Sequence, residues 1–303
     1  MSDKKVAVLL STYNGEKYVG AQIHSILTQN YKNLVLVVRD DGSKDKTVKI
    51  VKEFMDNNDN IKLVEGKNLG FIKSFFELLK YEDADYYAFA DQDDIWLPNK
   101  ISLAVESLNK LEEDNVPNMA FSNSDYYDVD MNLIKEGEKG KTFSFLNSLY
   151  ECVTQGMTMV INKKAKDMVL DFMPEKVFFH DWWVYMICSG MGNVVYDDVT
   201  TVKYRRDGKN ATAEGEGFFK LLKWRIKNLF GKDGLKDIKT QQREYKKLFY
   251  NKVYTQYQTV LDTFVQDKYT LKGAIAKATY NGQLRRSKAA DLAVRVMFVL
   301  GML

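Results

Sequence analysis

The sequence predicts an α/β protein, a mostly parallel sheet with helices on both faces, followed by a helical C-terminal region. Three observations carry this reading. Apolar runs of strand length alternate with segments of helical spacing between Val6 and Ala90. Polar and acidic clusters fall directly after the apolar runs, at Thr12-Tyr13-Asn14, Asp40-Asp41, Lys67-Asn68 and Asp91-Gln92-Asp93-Asp94. Beyond about residue 215 the alternation stops and a basic, helix-period composition takes over.

Val6 to Leu10 reads as a buried strand closing on the turn Ser11-Thr12-Tyr13-Asn14-Gly15. Tyr18, Val19, Ile23, Ile26 and Leu27 recur at helical spacing, which predicts a helix over Glu16 to Gln29. Leu34 to Val38 is the second strand, running into Arg39-Asp40-Asp41-Gly42-Ser43, and Val48, Val51, Phe54 and Met55 mark the next helix. Ile61 to Val64 is a third strand ending at Gly66-Lys67-Asn68-Leu69-Gly70; Phe71 to Lys80 is a helix and Tyr86 to Ala90 the fourth strand. The second half is less regular. Met119 to Ser122 reads as a strand, Asp125 to Asn132 as a turn-rich loop, and Gln155 to Ile161 as another strand. Phe178-Phe179-His180-Asp181-Trp182-Trp183 leads into an apolar helix through Cys188. Val194 to Tyr196 and Thr201 to Tyr204 read as closing strands before the basic loop Arg205-Arg206-Asp207-Gly208-Lys209-Asn210.

In such a sheet, ligands bind beyond the carboxyl ends of the strands, so four loops of one rim supply polar groups to a common crevice. Asp91 to Asp94 places three carboxylates in four positions after a buried strand. A hard divalent cation held by oxygen ligands and bridging to phosphates answers that charge density; the plainer reading is a solvated turn capping the next helix. No Gly-x-Gly-x-x-Gly spacing and no Gly-Lys-Ser/Thr loop occurs, which argues against a dinucleotide dehydrogenase and a P-loop nucleotidase. An aspartate-nucleophile phosphatase would carry its carboxylates after the first strand, where this chain has Thr12-Tyr13-Asn14.

The composition, 45% hydrophobic and 28% charged, is that of a soluble globular protein. Two cysteines, Cys152 and Cys188, make no disulfide framework and read as small buried residues. With no signal-peptide pattern and no apolar run of about 18 residues, the expected compartment is the cytoplasm. The net charge of +3 hides an asymmetry: residues 217–303 hold 18 Lys+Arg against 6 Asp+Glu, and the first 216 residues hold 26 against 35. An acidic body with a basic tail points to an anionic surface for the tail, while no nucleic-acid motif appears.

Val8-Leu9-Leu10-Ser11-Thr12-Tyr13-Asn14-Gly15, Asp40-Asp41-Gly42-Ser43, Asn68-Leu69-Gly70, Ala90-Asp91-Gln92-Asp93-Asp94-Ile95-Trp96 and His180-Asp181-Trp182 together resemble the family 2 glycosyltransferases of the GT-A fold. The resemblance covers roughly residues 5 to 210 and implies a catalytic domain over 1–215, with a helical region over 216–303. The Gln-Asp-Asp-Ile-Trp and His-Asp-Trp-Trp variants look most like bacterial rhamnosyltransferases of cell-wall or capsular polysaccharide. The implied reaction is inverting, metal-dependent transfer from a dTDP- or UDP-linked sugar, with dTDP-L-rhamnose ahead of a UDP-hexose or UDP-N-acetylhexosamine, to a hydroxyl of a lipid-linked glycan.

The resemblance also implies roles. Asp41 would hydrogen-bond the nucleotide base, with Thr12 and Tyr13 framing it and Asn14 and Lys67 on the nucleotide. Asp91 would meet the ribose or a metal-bound water, and Asp93 would bind Mg²⁺ or Mn²⁺, which stabilises the leaving diphosphate. Asp94 reads as a helix cap. Asp181 is the expected general base, desolvated by its aromatic neighbours, against a plain N-cap reading. Trp182 would stack on a sugar ring, and His180 reads as a local hydrogen-bonder. Arg205 and Arg206 would cover the diphosphate. Relatives carry Tyr-Arg-x-His where this chain has Tyr204-Arg205-Arg206-Asp207, so Asp207 is either a substitute oxygen ligand or solvated.

From Phe218 the apolar residues Phe218, Phe219, Leu221, Leu222 and Trp224 interleave with Lys220, Lys223 and Arg225, the composition of a helix lying on an anionic membrane surface. Arg285, Arg286 and Arg295, with Phe298, would extend that face on the inner side of the plasma membrane. A helical bundle packed on the catalytic domain or on a second copy of the chain is the alternative. Two rival classes remain: a non-catalytic sugar-nucleotide or glycan-binding protein, which has no need of Asp181, and a nucleotidyltransferase, which would want a basic first loop.

Overall fold

Every residue of the run Val6–Leu10 is buried, so both faces of this strand need covering. In the computed structural model, which describes residues 4–111, 113–207 and 232–303, helices cover both. The strands are β1 (Val6–Thr12), β2 (Leu34–Asp40), β3 (Ile61–Glu65), β4 (Tyr86–Asp91), β5 (Ile95–Trp96), β6 (Asn118–Tyr127), β7 (Leu133–Lys135), β8 (Met159–Asn162) and β9 (Asn193–Arg205). The helices that pack with them are α1 (Val19–Leu27), α2 (Thr47–Met55), α3 (Phe71–Leu78), α4 (Lys100–Asn109) and, after a short α5 (Phe145–Ser148), α6 (Lys163–Asp171). Val6, Val8 and Leu10 join a core with Ile23 and Ile26 of α1, Val51 of α2 and Ile101 and Val105 of α4. On the opposite face, Phe75 of α3 meets Phe89 edge-on at 5.7 Å between ring centroids.

The strand order is β3-β2-β1-β4-β8-β6-β9-β5, with β7 on β6. Strands β1 to β4 pair in parallel, as the alternation of strands and helices requires. The sheet becomes mixed beyond β4, because β8 runs antiparallel to both β4 and β6, and β5 antiparallel to β9. Parallel registers Thr12↔Asp40 and Ser11↔Asp91 end β1, β2 and β4 at one level, so their following loops share one rim.

Several local expectations change. The first helix begins at Val19, after a turn, and the run from Gln155 opens as a 3₁₀ turn over Gly156–Thr158 before β8. The loop expected from Asp125 is strand as far as Tyr127. The two expected closing strands are one, β9, of 13 residues. Its interruption, Asp197-Asp198, is tolerated because Ser107 donates to Asp197 and Asn123 and Tyr196 donate to Asp198.

The chain divides into two compact units. The sheet unit takes the described residues of Met1–Gly140, Thr154–Asp171 and Asn193–Ala211; the helical unit takes those of Lys141–Val153, Phe172–Gly192 and Thr212–Leu303. The helical unit therefore includes two segments from inside the range 1–215. It is built from α5, α7 (His180–Met191), α8 (Lys232–Phe249), α9 (Thr255–Phe264), α10 (Leu271–Ala278) and α11 (Lys288–Val299). Its core is aromatic: Trp183 of α7 packs on Tyr245 and Phe249 of α8, and Phe145 on Tyr245. A Cβ at Gly190 would lie 2.2 Å from the Tyr245 hydroxyl, so α7 and α8 meet closely only because residue 190 lacks a side chain. Cys152 and Cys188 are not joined in a disulfide. Among the described residues no helix is long and apolar enough to cross a membrane.

Candidate active site

The rim loops of the sheet unit are tied to one another by side chains. After β1, the Tyr13 peptide is clamped by Gln92, whose Oε1 accepts from Tyr13 N–H at 2.9 Å and whose amide donates to Tyr13 C=O at 3.1 Å. Gly15 has no room for a side chain because Gln92 occupies that space. Asn14, at φ 47°, bridges to the second loop: its N–H donates to Ser43 and its Oδ1 accepts from the Lys44 N–H. The exposed Tyr13 ring thus stands on a backbone fixed from both sides. Thr12, expected to frame the base with its side chain, is buried; its hydroxyl donates to Asp40 Oδ1 at 3.1 Å.

Asp41 sits at the centre of the second tie. It is buried, and its carboxylate accepts from the Arg39 guanidinium and from the Leu69 and Gly70 N–H groups, each of the latter at 2.8 Å. Gly70, at φ 79°, turns the backbone so that both amides point at one carboxylate. Arg39 also donates to Ser74 Oγ at 2.9 Å and to the Lys67 carbonyl at 3.0 Å. The base-binding residue expected from the sequence is therefore fixed in place by a buried ion pair, with the side chain of Lys67 left exposed at the mouth. Leu69 and Phe71 expose large apolar side chains beside it. Sequence reasoning missed both Arg39 and Gln92. Arg39 had a signal: it is a cation within a buried strand, directly after the apolar residues 34–38 of β2.

The acidic loop is graded by burial. Asp91 ends β4 and Asp93 follows it. Burial pushes the Asp93 carboxyl up to about 6, and the charge of Asp207 pushes the same way, against Arg205 and Arg206. Asp94 is fully buried, and burial together with the charges of Asp93 and Asp91 drives its carboxyl well above the ordinary range. Asp94 is not a helix cap. Residues 95–96 pair with β9, α4 starts at Lys100 behind Asn99, and Asp94 Oδ1 accepts the Arg205 N–H at 3.1 Å. Arg205 is buried too: it donates to the Asp93 and Val129 carbonyls and stacks over Tyr18 with 4.5 Å to the ring centroid. That guanidinium is a strut beneath the acidic loop, which leaves Arg206, half-buried over Tyr204, as the more accessible of the two cations.

No group of three or more His, Cys, Asp or Glu among the described residues is placed to hold a metal. The donor set still fits a hard cation. Asp93, raised by burial and repelled by Asp207, gains from a neighbouring positive charge, and Mg²⁺ or Mn²⁺ normally takes one or two carboxylates and completes its shell with phosphate and water.

In the helical unit, Asp181 lies in the first turn of α7, behind Phe179 at the N-cap, so it is not itself the cap. The helix N-terminus favours its negative charge, and one oxygen accepts the Trp182 N–H at 2.8 Å. Trp182, read as a sugar-stacking ring, is buried edge-on against Phe178 with its indole N–H donating to the Ser148 carbonyl. His180 is buried, and burial pushes its imidazole down to about 3, which keeps the ring neutral.

A parallel α/β half with an acidic loop after the fourth strand, a fixed carboxylate after the second and an antiparallel extension defines the GT-A class of nucleotide-sugar-dependent glycosyltransferases. The chain belongs to glycosyl transferase family 2, whose model matches residues 7–164. It is 27% identical over 231 residues to the dTDP-rhamnosyl transferase RfbG of Shigella flexneri, covering 69% of this chain and 75% of RfbG. It is 37% identical over 111 residues to the Escherichia coli UDP-Glc:alpha-D-GlcNAc-diphosphoundecaprenol beta-1,3-glucosyltransferase WfgD, covering 36% of this chain and 43% of WfgD, less than half of that relative's length. The S. aureus TarS 1-349 structure in complex with UDP-GlcNAc shares the fold with a TM-score of 0.57 at 16% identity, covering 98% of this chain and 91% of that one.

Proposed function

We propose that this enzyme transfers L-rhamnose from dTDP-L-rhamnose, with inversion, to a hydroxyl of a growing lipid-linked bacterial polysaccharide. The observation that carries the donor half is the carboxylate pair of the rim: Asp41, held by Arg39 and two amides, and Asp93, raised by burial, on the loops that flank the one after β1. The likeness to RfbG supports rhamnose, and the name of WfgD supports a diphosphoundecaprenol-linked acceptor.

Tyr13, Leu69 and Phe71 offer apolar surface for the base, whose polar edge Asp41 would meet, while Lys67 would reach the phosphates. Asp91 and Asp93 would hold Mg²⁺ or Mn²⁺, which supplies Lewis-acid stabilisation of the departing diphosphate. Arg206 would add charge where the leaving group gains it. Asp181 would take the proton of the acceptor hydroxyl as its oxygen attacks the anomeric carbon. A screen of dTDP-, UDP- and GDP-linked sugars for nucleotide release tests the reading. Release from dTDP-L-rhamnose supports it; release from a UDP-hexose or UDP-N-acetylhexosamine alone replaces the donor; release from none would favour a binding protein.

Peripheral attachment to the inner leaflet belongs to the same proposal. The basic, aromatic stretch 218–229 expected to carry it lies outside the described residues. Of the rest, Phe298 is fully buried against Tyr150 and Phe264, and Arg295 is spent on Asp291 and on the carbonyls of Ala278, Tyr280 and Gly282. Leu292, Val296, Val299, Leu300 and Met302 are exposed apolar residues at that end of the chain, open to lipid or to a second copy. Salt-sensitive co-sedimentation with anionic liposomes, set against oligomer mass, separates the two.

A further inference from the structure

The helical unit holds a cleft that the transferase reading does not use. Two helix faces form most of it. Lys239, Gln242 and Arg243 stand three and four residues apart on α8, and Thr270, Ala274 and Lys277 occupy matching positions on and just before α10. Lys268, in the loop before α10, adds a fourth cation to the lining.

The charge of this cleft is unbalanced. Its only side-chain carboxylate among the described lining residues is Asp267, highly exposed and 3.3 Å from Arg243. Lys277 is the informative residue. It is 7% exposed, yet no hydrogen-bond acceptor and no carboxylate meets its amine among the described residues; the amine lies over the ring of Phe298, 5.5 Å from its centroid. Lys239 likewise has no ion pair there. Burial pushes Lys277 down to about 8 with Lys239 repelling it, and burial pushes Lys239 down with Arg243 repelling it. A largely buried lysine whose amine opens into the cleft without an acceptor, beside the like charge of Lys239, is unfavourable for the fold. Such an arrangement becomes favourable when an anion enters.

We propose that this cleft binds a phosphate-bearing anion, with Lys277 and Lys239 as its inner charged contacts, Arg243 and Lys268 at the mouth and the Thr270 hydroxyl as a further donor. Phosphate suits the site because three or more converging cations match a charge of two or more spread over several oxygens. The phosphate can come from solution or from the headgroup of a lipid, and the recognising chemistry is the same. None of these residues belongs to the donor machinery, so the proposal stands apart from the choice of sugar.

The test uses the full-length protein and two variants, Lys277→Met, which keeps the packed stem, and Lys239→Gln, at a half-exposed position that tolerates change. Sodium pyrophosphate is titrated calorimetrically into all three in phosphate-free buffer. Binding at the donor rim is common to all and cancels in the comparison. In parallel, phosphatidylcholine vesicles with and without phosphatidic acid are used for co-sedimentation. The expected result is that each variant loses affinity by about tenfold or more for one probe, while nucleotide affinity is unchanged. Loss in the pyrophosphate arm assigns a soluble phosphate, and loss only in the phosphatidic acid arm assigns a lipid headgroup. If folded Lys239→Gln matches wild type in both arms, the proposal is overturned.

Discussion

Arg39 offers the sharpest test of how the donor rim is held. Replacing it with Met keeps most of the side-chain volume and removes the guanidinium that joins Asp41, Ser74 and the Lys67 carbonyl. Arg39 and Asp41 are each 3% exposed, so the variant leaves a buried carboxylate with only the Leu69 and Gly70 amides. Removing one partner of a buried pair costs about 3–5 kcal/mol. The same change unties the third rim loop, so donor affinity should drop by at least about tenfold. Urea unfolding measures the first effect and calorimetry with the nucleoside diphosphate the second. In Arg39→Met/Asp41→Asn no charge is left buried, so most of the stability returns while donor affinity stays low. A single variant that lost less than about 1 kcal/mol and bound donor normally would refute the argument, since the pair would then be neither structural nor functional.

Three other outcomes are expected. The buried Lys100 amine has no hydrogen-bond partner among the described residues, lies 4.3 Å from the Trp96 ring centroid, and is pushed by burial from 10.5 down to about 7. Between those values the unfolded chain keeps a proton that the folded chain has released, so stability should rise with pH across the window, by about 5 kcal/mol in total. Urea unfolding at several pH values should show that rise in wild type and lose it in Lys100→Met; equal slopes would sink the idea. Asp93→Asn should abolish transfer and Mn²⁺ binding, read from the electron paramagnetic resonance of free Mn²⁺, without loss of fold, because it removes a charge that burial and Asp207 already disfavour. Full turnover in EDTA contradicts it. Asp181→Asn should lower turnover about 10²–10⁴-fold with donor affinity unchanged, and retention of half the turnover would reduce Asp181 to a helix-terminus residue.

The first four strands were legible because each is an apolar run buried on both faces, and the rim because its polar clusters interrupt those runs. What escaped was set by partners far away in sequence. Asp197 and Asp198 look like a break, yet β9 runs through them because Ser107 and Asn123 satisfy the carboxylates. Asp94 resembles a cap until its partner, the Arg205 amide, is known. Arg205 looks like a mobile cation, and only the Asp93 and Val129 carbonyls show why it is fixed. Trp182 advertised a sugar platform, but its neighbours turn it inward. Burial, set by these distant partners, decides which of the polar side chains face the rim.

The chain contributes three segments to each unit in alternation, and α7 is one of the middle ones. Because Trp183 of α7 rests on Tyr245 and Phe249, the helix that carries Asp181 depends on residues more than sixty positions downstream for its footing. A stop codon in the 218–231 stretch would therefore strip away more than a tail. It would leave α7 with an uncovered aromatic face, and chemistry would fail along with any attachment. A single proteolytic nick in the same stretch has a different consequence: the severed piece still carries the other half of α7's core. Nicked protein should stay whole under native conditions and separate only in denaturant, so deletion and cleavage at one point should give opposite results.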